Sequence, residues 1–203
     1  MNEKEKMVAG KLYDPNDPEL LSLRQKAHLL CQKYNQIPET DAVSRKEILD
    51  ELMGGGEGLY LQGPIQFDYG INTTFGKNCY ANFNFVVLDI CPVKIGDDVF
   101  FGPNCSLYTP MHPLLNEERK MHLGKNGFSD DEYGKPITIG NGCWFAGNVT
   151  VIGGVHIGDG CVIGAGSVVT RDMPDGYLCY GSPCKPIRKI TELDSVFLKK
   201  ELF

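Results

Sequence analysis

IGNGCWFAGNVTVIGGVHIGDGCVIGAGSVVTRDMP, residues 139–174, divides into consecutive hexads. The lead positions read Ile139, Phe145, Val151, Ile157, Ile163 and Val169, always apolar. Gly or Ala mostly follows, and a small residue or Val usually falls at the fifth position. The same template fits from Ile95 and Phe101 to Leu107, and earlier from Phe75, Ala81 and Val87, with a slip of two residues between Val87 and Ile95. Such a clock predicts a parallel β-helix. A short strand buries its lead residue, a glycine-containing corner turns the chain, and three sides close one triangular coil. Coils then stack at about 4.8 Å, backbone bonded to backbone. Strict two-residue alternation is absent, and glycine at this frequency would ruin a helical bundle.

The repeat also accounts for most of the eight cysteines. Cys79, Cys91, Cys105, Cys143 and Cys161 hold the fifth position of their hexads, where Val149, Val155 and Ser167 stand elsewhere. A free cysteine behaves there as a small buried hydrophobe. No C-x-x-C occurs, so neither a disulfide framework nor a metal site is expected. Cys31 reads as helix packing, while Cys179 and Cys184 have no assigned role.

Upstream the pattern is helical. In NDPELLSLRQKAHLLCQKYN (16–35), Asp17 reads as an N-cap and Pro18 as the first helical residue, with Leu20, Leu23, Ala27, Leu30 and Tyr34 on one face. SRKEILDELMGGG (44–56) reads as a second helix, with Ser44 and Glu47 spaced for a capping box and glycines ending it. The expected organisation is a helical segment 1–57, a repeat body 58–184 interrupted by a protruding loop at about 110–136, and a tail 185–203 that caps the last coil. A formal charge of −6 argues against nucleic acid or an anionic membrane as the main partner, so any polyanionic ligand needs a local basic cluster. The opening MNEKEKMVAGKLYDP lacks the apolar stretch of a signal peptide, no run is long enough to span a bilayer, and a cytoplasmic protein is expected.

With the hexads, the TPMHP break (109–113) and AGKLYDPNDPEL (9–20) in view, the chain resembles the maltose and galactoside O-acetyltransferases of the hexapeptide-repeat acyltransferase superfamily. The likeness runs from about Met7 to Ile190 and includes FDYG, YANFNFVVLD, ITIGNGCW, GAGSVVTRD and GSPCKPIRKI. It implies a left-handed β-helix, against the right-handed crossover usual for parallel strands. It also implies a homotrimer with active sites between subunits, and transfer of acetyl from acetyl-CoA, the cosubstrate, to a sugar hydroxyl.

A sugar hydroxyl is a poor nucleophile, whereas a thioester is an activated donor, so the missing ingredient is a base. Histidine titrates in the right range and can pass the proton to the leaving thiolate. His112 matches the family's catalytic histidine, with Glu117, Glu118 or a backbone carbonyl as candidates to orient it. His28, His122 and His156 match no motif. For the sugar, the resemblance points to Arg24, Asp68, Tyr80 and Asn82; Asn82 takes a hexad position where glycine is commonest. The family's acidic position near the N-terminus falls on Pro15 against galactoside-type members, and its role passes to neighbouring Asp14. Asp68 stands where some galactoside-type members have serine, which leans towards the maltose or glucose type. For acetyl-CoA, Gly147, Ala165 and Thr170 match backbone contacts to the pantetheine arm, and Trp144 would line the transfer groove. Arg171, Lys185 and Arg188 supply cations for phosphates, where a planar guanidinium is more selective than an ammonium.

Three alternatives share parts of this pattern. An acyltransferase for an antibiotic or amino-sugar acceptor would keep the fold and CoA site, and acceptor screening separates it. A zinc carbonic anhydrase on the same coil would need three histidines around one metal, and His112 and His156 are not in that family's spaced pairs. A non-enzymatic scaffold would not need the His-Pro loop together with the basic C-terminal positions.

Overall fold

A computed structural model describes residues 1–202. Three helices precede the coil: α1 (Glu3–Val8), α2 (Pro18–Gln36) and α3 (Ala42–Met53). Helix α2 starts as its sequence predicts, with Asp17 accepting from the backbone N–H groups of Glu19 and Leu20 and Pro18 at the first turn. Helix α3 does not. Its cap is Asp41, whose carboxylate accepts from Ser44 N at 3.1 Å, so the helix begins upstream of the expected Ser44–Glu47 box. A carboxylate one turn earlier caps Ser44 N itself, so the first turn forms ahead of Ser44. The helix ends on Gly54 at φ 79°, as a glycine C-cap should.

The coil has three faces of in-register parallel strands. Face one stacks Tyr60–Leu61, Tyr80–Ala81, Phe100–Phe101, Trp144–Phe145, Val162–Ile163 and Tyr177–Gly181. Face two stacks Ile65–Phe67, Phe85–Leu88, Ser106–Tyr108, Thr150–Ile152 and Val168–Val169. Face three stacks Thr73–Phe75, Val93–Ile95, Ile137–Ile139 and His156–Ile157, and ends on a bridge from Ile157 to Met173. The lead residues fill the prism: Phe101 and Phe145 stack at 4.7 Å, and every lead from Ile139 to Val169 is buried.

The fifth-position cysteines are buried in or against this core. The thiols of Cys79, Cys105, Cys143 and Cys161 donate to the carbonyls of Gly96, Ala146, Gly158 and Pro174 in the next coil, at 3.0 to 3.2 Å. Cys91 donates to Met7 O at 3.3 Å, at the end of α1. Burial pushes the thiols of Cys91 and Cys105 up to about 11, which suits packing and not thiolate chemistry. Cys179 and Cys184 are buried as well.

Both ends of the stack are covered. At the first coil, Arg45 donates through Nη2 to Leu61 O (2.6 Å) and Gln62 O (2.8 Å), and Tyr34 Oη donates to Leu61 O. Asn35 exchanges a pair of bonds with Ile65. These acceptors would otherwise form an open strand edge. Arg45 is buried, and its guanidinium lies 4.5 Å from the Tyr34 ring centroid. At the last coil, strand Cys184–Lys189 turns back antiparallel on Tyr177–Gly181 and closes face one.

The phase slip has a physical cause. From Val87 to Ile95 the chain spends eight residues, against six from Val151 to Ile157. The extra residues include Asp89, which is 0% exposed. Its carboxylate accepts from the N–H groups of Tyr69, Gly70 and Asn72 and from Thr73 Oγ1. The corner after face two is thus enlarged in the first two coils, and one coil later the long loop leaves from the same corner. Asp89 fixes the turn that carries Asp68.

Candidate active site

The loop that leaves after Tyr108 returns along itself. Pro110–Met111 pairs antiparallel with Tyr133–Gly134, which sets His112 beside Glu132. Tyr13 forms a further antiparallel bridge to Glu132, Tyr13 N donating at 2.9 Å and Glu132 N at 3.2 Å. Gly134 permits this crowding, since a Cβ there would lie 2.8 Å from Thr109 O; Gly10, at φ 71°, faces Gly134 O as closely. The N-terminal segment and the returning loop therefore hold His112 from two sides.

The imidazole lies between two carboxylates. Nδ1 is 3.5 Å from Asp130 Oδ2, and Nε2 is 3.9 Å from Glu132 Oε1. Glu132 Oε2 accepts from Tyr13 Oη at 2.8 Å. Burial raises the Glu132 carboxyl, while the Tyr13 hydroxyl and His112 pull it back down. Burial also pushes the Tyr13 phenol far up, so it remains a donor. The expected orienting residues Glu117 and Glu118 are elsewhere: they belong to the helical turn Asn116–Arg119, and Glu117 pairs with Lys120. Distance along the chain misled here, because the groups facing His112 come from the far arm of the loop. One donor atom each from His112, Asp130 and Glu132 lie within 4.8 Å of one another, where a cation would find three ligands. The two carboxylates face opposite ring nitrogens, which suits ion pairing better than shared coordination.

Asp68 and Arg24 extend this wall. Asp68 follows strand Ile65–Phe67, and its Oδ1 is 3.5 Å from His28 Nε2. Burial raises the Asp68 carboxyl against the pull of His28 and Arg24, and Asp68 in turn raises Glu132. Arg24, one helical turn before His28, reaches Tyr69 Oη at 3.3 Å. His28, unremarkable in sequence, is thus a partner of a predicted sugar ligand. Asp14 is different. Its oxygens accept from Ser129 Oγ (2.7 Å), Asn126 Nδ2 (2.9 Å) and Asn16 N (2.9 Å). Those bonds hold its carboxyl below the usual range despite burial, and they tie the loop hairpin to the N-terminal segment. Asp14 clamps the loop to the N-terminal segment, with two of these bonds on Oδ1 and one on Oδ2. His122 lines a separate cleft of about 310 Å³ that includes Asp14 and Asp131.

The other predicted residues sit elsewhere. Tyr80, Asn82, Phe100, Gly102 and Trp144 line a shallow pocket of about 370 Å³ on face one. Tyr80 stacks on Tyr60 and meets Phe100 edge-on, and Trp144 is 52% exposed. Gly147 and Ala165 occupy the corner beside this face, and Lys185 and Arg188 lie on its last strand. Thr170 and Arg171 follow face two, at the edge that bears Asp68 and His112. Among the described residues, no hydrogen bond, ion pair or ring contact joins the face-one pocket to the His112 wall. Within one chain the two groups of residues lie on different edges of the coil.

Tyr13, Asp130 and Glu132 were not singled out from sequence. Tyr13 stands within KLYDP, and both carboxylates stand in SDDEYG, just before the rhythm resumes. The return point of an interruption was the available signal.

Three family models match: the maltose acetyltransferase hexapeptide capping motif over residues 6–56, the hexapeptide repeat of succinyl-transferase over 92–108, and the bacterial transferase hexapeptide (six repeats) over 136–171. The chain is 37% identical to the galactoside O-acetyltransferase of Escherichia coli (strain K12), across 97% of this chain and 94% of that protein. The maltose O-acetyltransferase of Clostridium difficile 630 matches with a TM-score of 0.86 at 40% identity, covering 95% of this chain and 99% of that one. A hexapeptide-repeat-containing acetyltransferase of Vibrio cholerae, complexed with acetyl coenzyme A, matches at 0.83 and 33%, over 95% and 100%.

Proposed function

The chain belongs to the maltose and galactoside O-acetyltransferase family of hexapeptide-repeat enzymes, and we propose that it moves acetyl from acetyl-CoA to a sugar hydroxyl, with His112 as general base, at sites completed between copies of a trimer. The coil is taken as left-handed and the protein as cytoplasmic, in keeping with eight unpaired cysteines. One observation carries the reading. The residues expected to act together divide between face one and the far edge of face two, so a working site needs the edge of one copy against the face of another.

At such a site His112 takes the proton of the acceptor hydroxyl as its oxygen attacks the thioester carbonyl. The C–O bond forms, the C–S bond breaks, and the proton passes from the imidazolium to the departing thiolate. Asp130 and Glu132 stabilise the imidazolium between these events, and Tyr13 fixes Glu132. Asp68 and Arg24 offer an acceptor and a donor to the hydroxyls that do not react.

Face one supplies a bed for an extended cosubstrate. Its outward column runs in register from Tyr80 through Phe100, Trp144, Val162 and Leu178 to Arg188. At the usual strand spacing Trp144 and Arg188 are about 14 Å apart. An acyl-pantetheine arm laid along this apolar column puts its thioester near Trp144 and its phosphates near Arg188 and Lys185.

Mixed trimers test the arrangement. His112→Ala and Asn82→Ala chains, carrying different tags and co-expressed, should each be poorly active alone. Purified mixed trimers should recover activity, because some sites then combine an intact His112 edge with an intact Asn82 face. Mixed trimers no more active than the average of the two parents would place both halves in one chain.

A further inference from the structure

The cofactor end of this site carries a carboxylate where phosphate binding would want none. Arg188 makes a two-point ion pair with Asp194, Nη2 to Oδ1 at 2.6 Å and Nη1 to Oδ2 at 2.8 Å. Asp194 closes the turn Glu192–Asp194, and its Oδ2 also accepts from Thr191 N at 2.9 Å. Arg188 and this backbone bond hold the carboxyl down at about 2, so it stays ionised at any working pH. Lys185 and Arg171 differ, since neither has a carboxylate within ion-pair distance among the described residues. The two guanidinium ends bound by Asp194 are also the ends a phosphate would grip, because carboxylate and phosphate both match that fork.

Resting on the reading of Arg188 as a phosphate contact, we propose that Asp194 is an internal competitor: it occupies the Arg188 guanidinium in the free enzyme, must give way when acetyl-CoA binds, and so sets the affinity for this cosubstrate. The pair is solvent-exposed, at 51% and 32% for the two side chains, which keeps the competition modest and reversible. The turn needs only to swing on its own short segment, since nothing in it is buried.

Asp194→Asn keeps an oxygen for Thr191 N while removing the charge. At low salt it should lower the KM for acetyl-CoA by about two- to five-fold with kcat unchanged, a range suited to one exposed pair. Arg188→Ala should raise that KM, and adding Asp194→Asn to Arg188→Ala should change it little. Glu192→Gln removes a nearby charge with no guanidinium partner and should have less effect than Asp194→Asn. An Asp194→Asn enzyme whose KM is unchanged or higher, while Arg188→Ala still raises it, overturns the competition and leaves the phosphate contact standing. An equal gain from Glu192→Gln also overturns it, since long-range charge alone would then suffice. If Arg188→Ala leaves the KM alone, the phosphate contact fails and the competition with it.

Discussion

His112→Ala is expected to leave the trimer and acetyl-CoA binding intact and to lower acetyl transfer by about 10²- to 10⁴-fold, the range for a lost general base. That corresponds to roughly 3–5 kcal/mol of transition-state stabilisation, far more than an exposed polar contact supplies. The other histidines are placed elsewhere: His122 faces Asp131, His28 is engaged by Asp68, and His156 lies on face three. Wild-type activity should also climb with pH. The base must be neutral, and Glu132, raised by burial, must be ionised to stabilise the imidazolium, so both conditions improve in the same direction. Steady-state rates with saturating cosubstrate read both effects. A flat profile from about pH 5 to 8, or full activity in the variant, contradicts the base assignment.

Asp89→Ala should be the most destabilising single change outside the hydrophobic core. It strips partners from three backbone N–H groups and a threonine hydroxyl that converge on a fully buried carboxylate. Unsatisfied buried groups cost about 1–3 kcal/mol each, so the loss should outweigh the gain from removing a buried charge. The pH dependence follows from the direction of the shift. Burial raises the Asp89 carboxyl to about 6 in the folded chain, so its contribution is greatest at low pH and is lost as pH rises through 6. The stability gap between wild type and Asp89→Ala should therefore widen by roughly 1 kcal/mol between pH 8 and pH 5. Thermal unfolding of both proteins at the two pH values measures it, and a gap that narrows towards low pH would mean that the folded chain holds the Asp89 carboxyl below, not above, its ordinary value.

Much of the coil was legible because its rule is local: each hexad names the residue that must point inward. The apolar leads and the thiol positions follow from spacing alone. The slip between Val87 and Ile95 was visible too, but its cause was not, since Asp89 acts on a turn twenty residues earlier in the chain. The active-site wall shows the same limit more sharply. His112 stood out by its match to the family's histidine at the break in the rhythm, whereas Asp130, Glu132 and Tyr13 meet it only through two antiparallel pairings that no periodicity encodes. Asp14 was legible as an acidic position but not as a clamp, since its partners Asn126 and Ser129 lie 112 and 115 residues further along the chain. Arg188 is legible as a cation, but its engagement by Asp194 depends on how the tail turns.

Initial rates of CoA thiol release from acetyl-CoA, with maltose, glucose, a galactoside and an amino sugar each offered as acceptor to wild type and His112→Ala, test the central claim most directly. The expected result is acceptor-dependent release with a hydroxyl sugar in the wild type, nearly abolished in the variant, with the acetyl group recovered as a sugar ester. Release stimulated only by the amine, or equal release in both proteins, would contradict sugar O-acetyl transfer by His112.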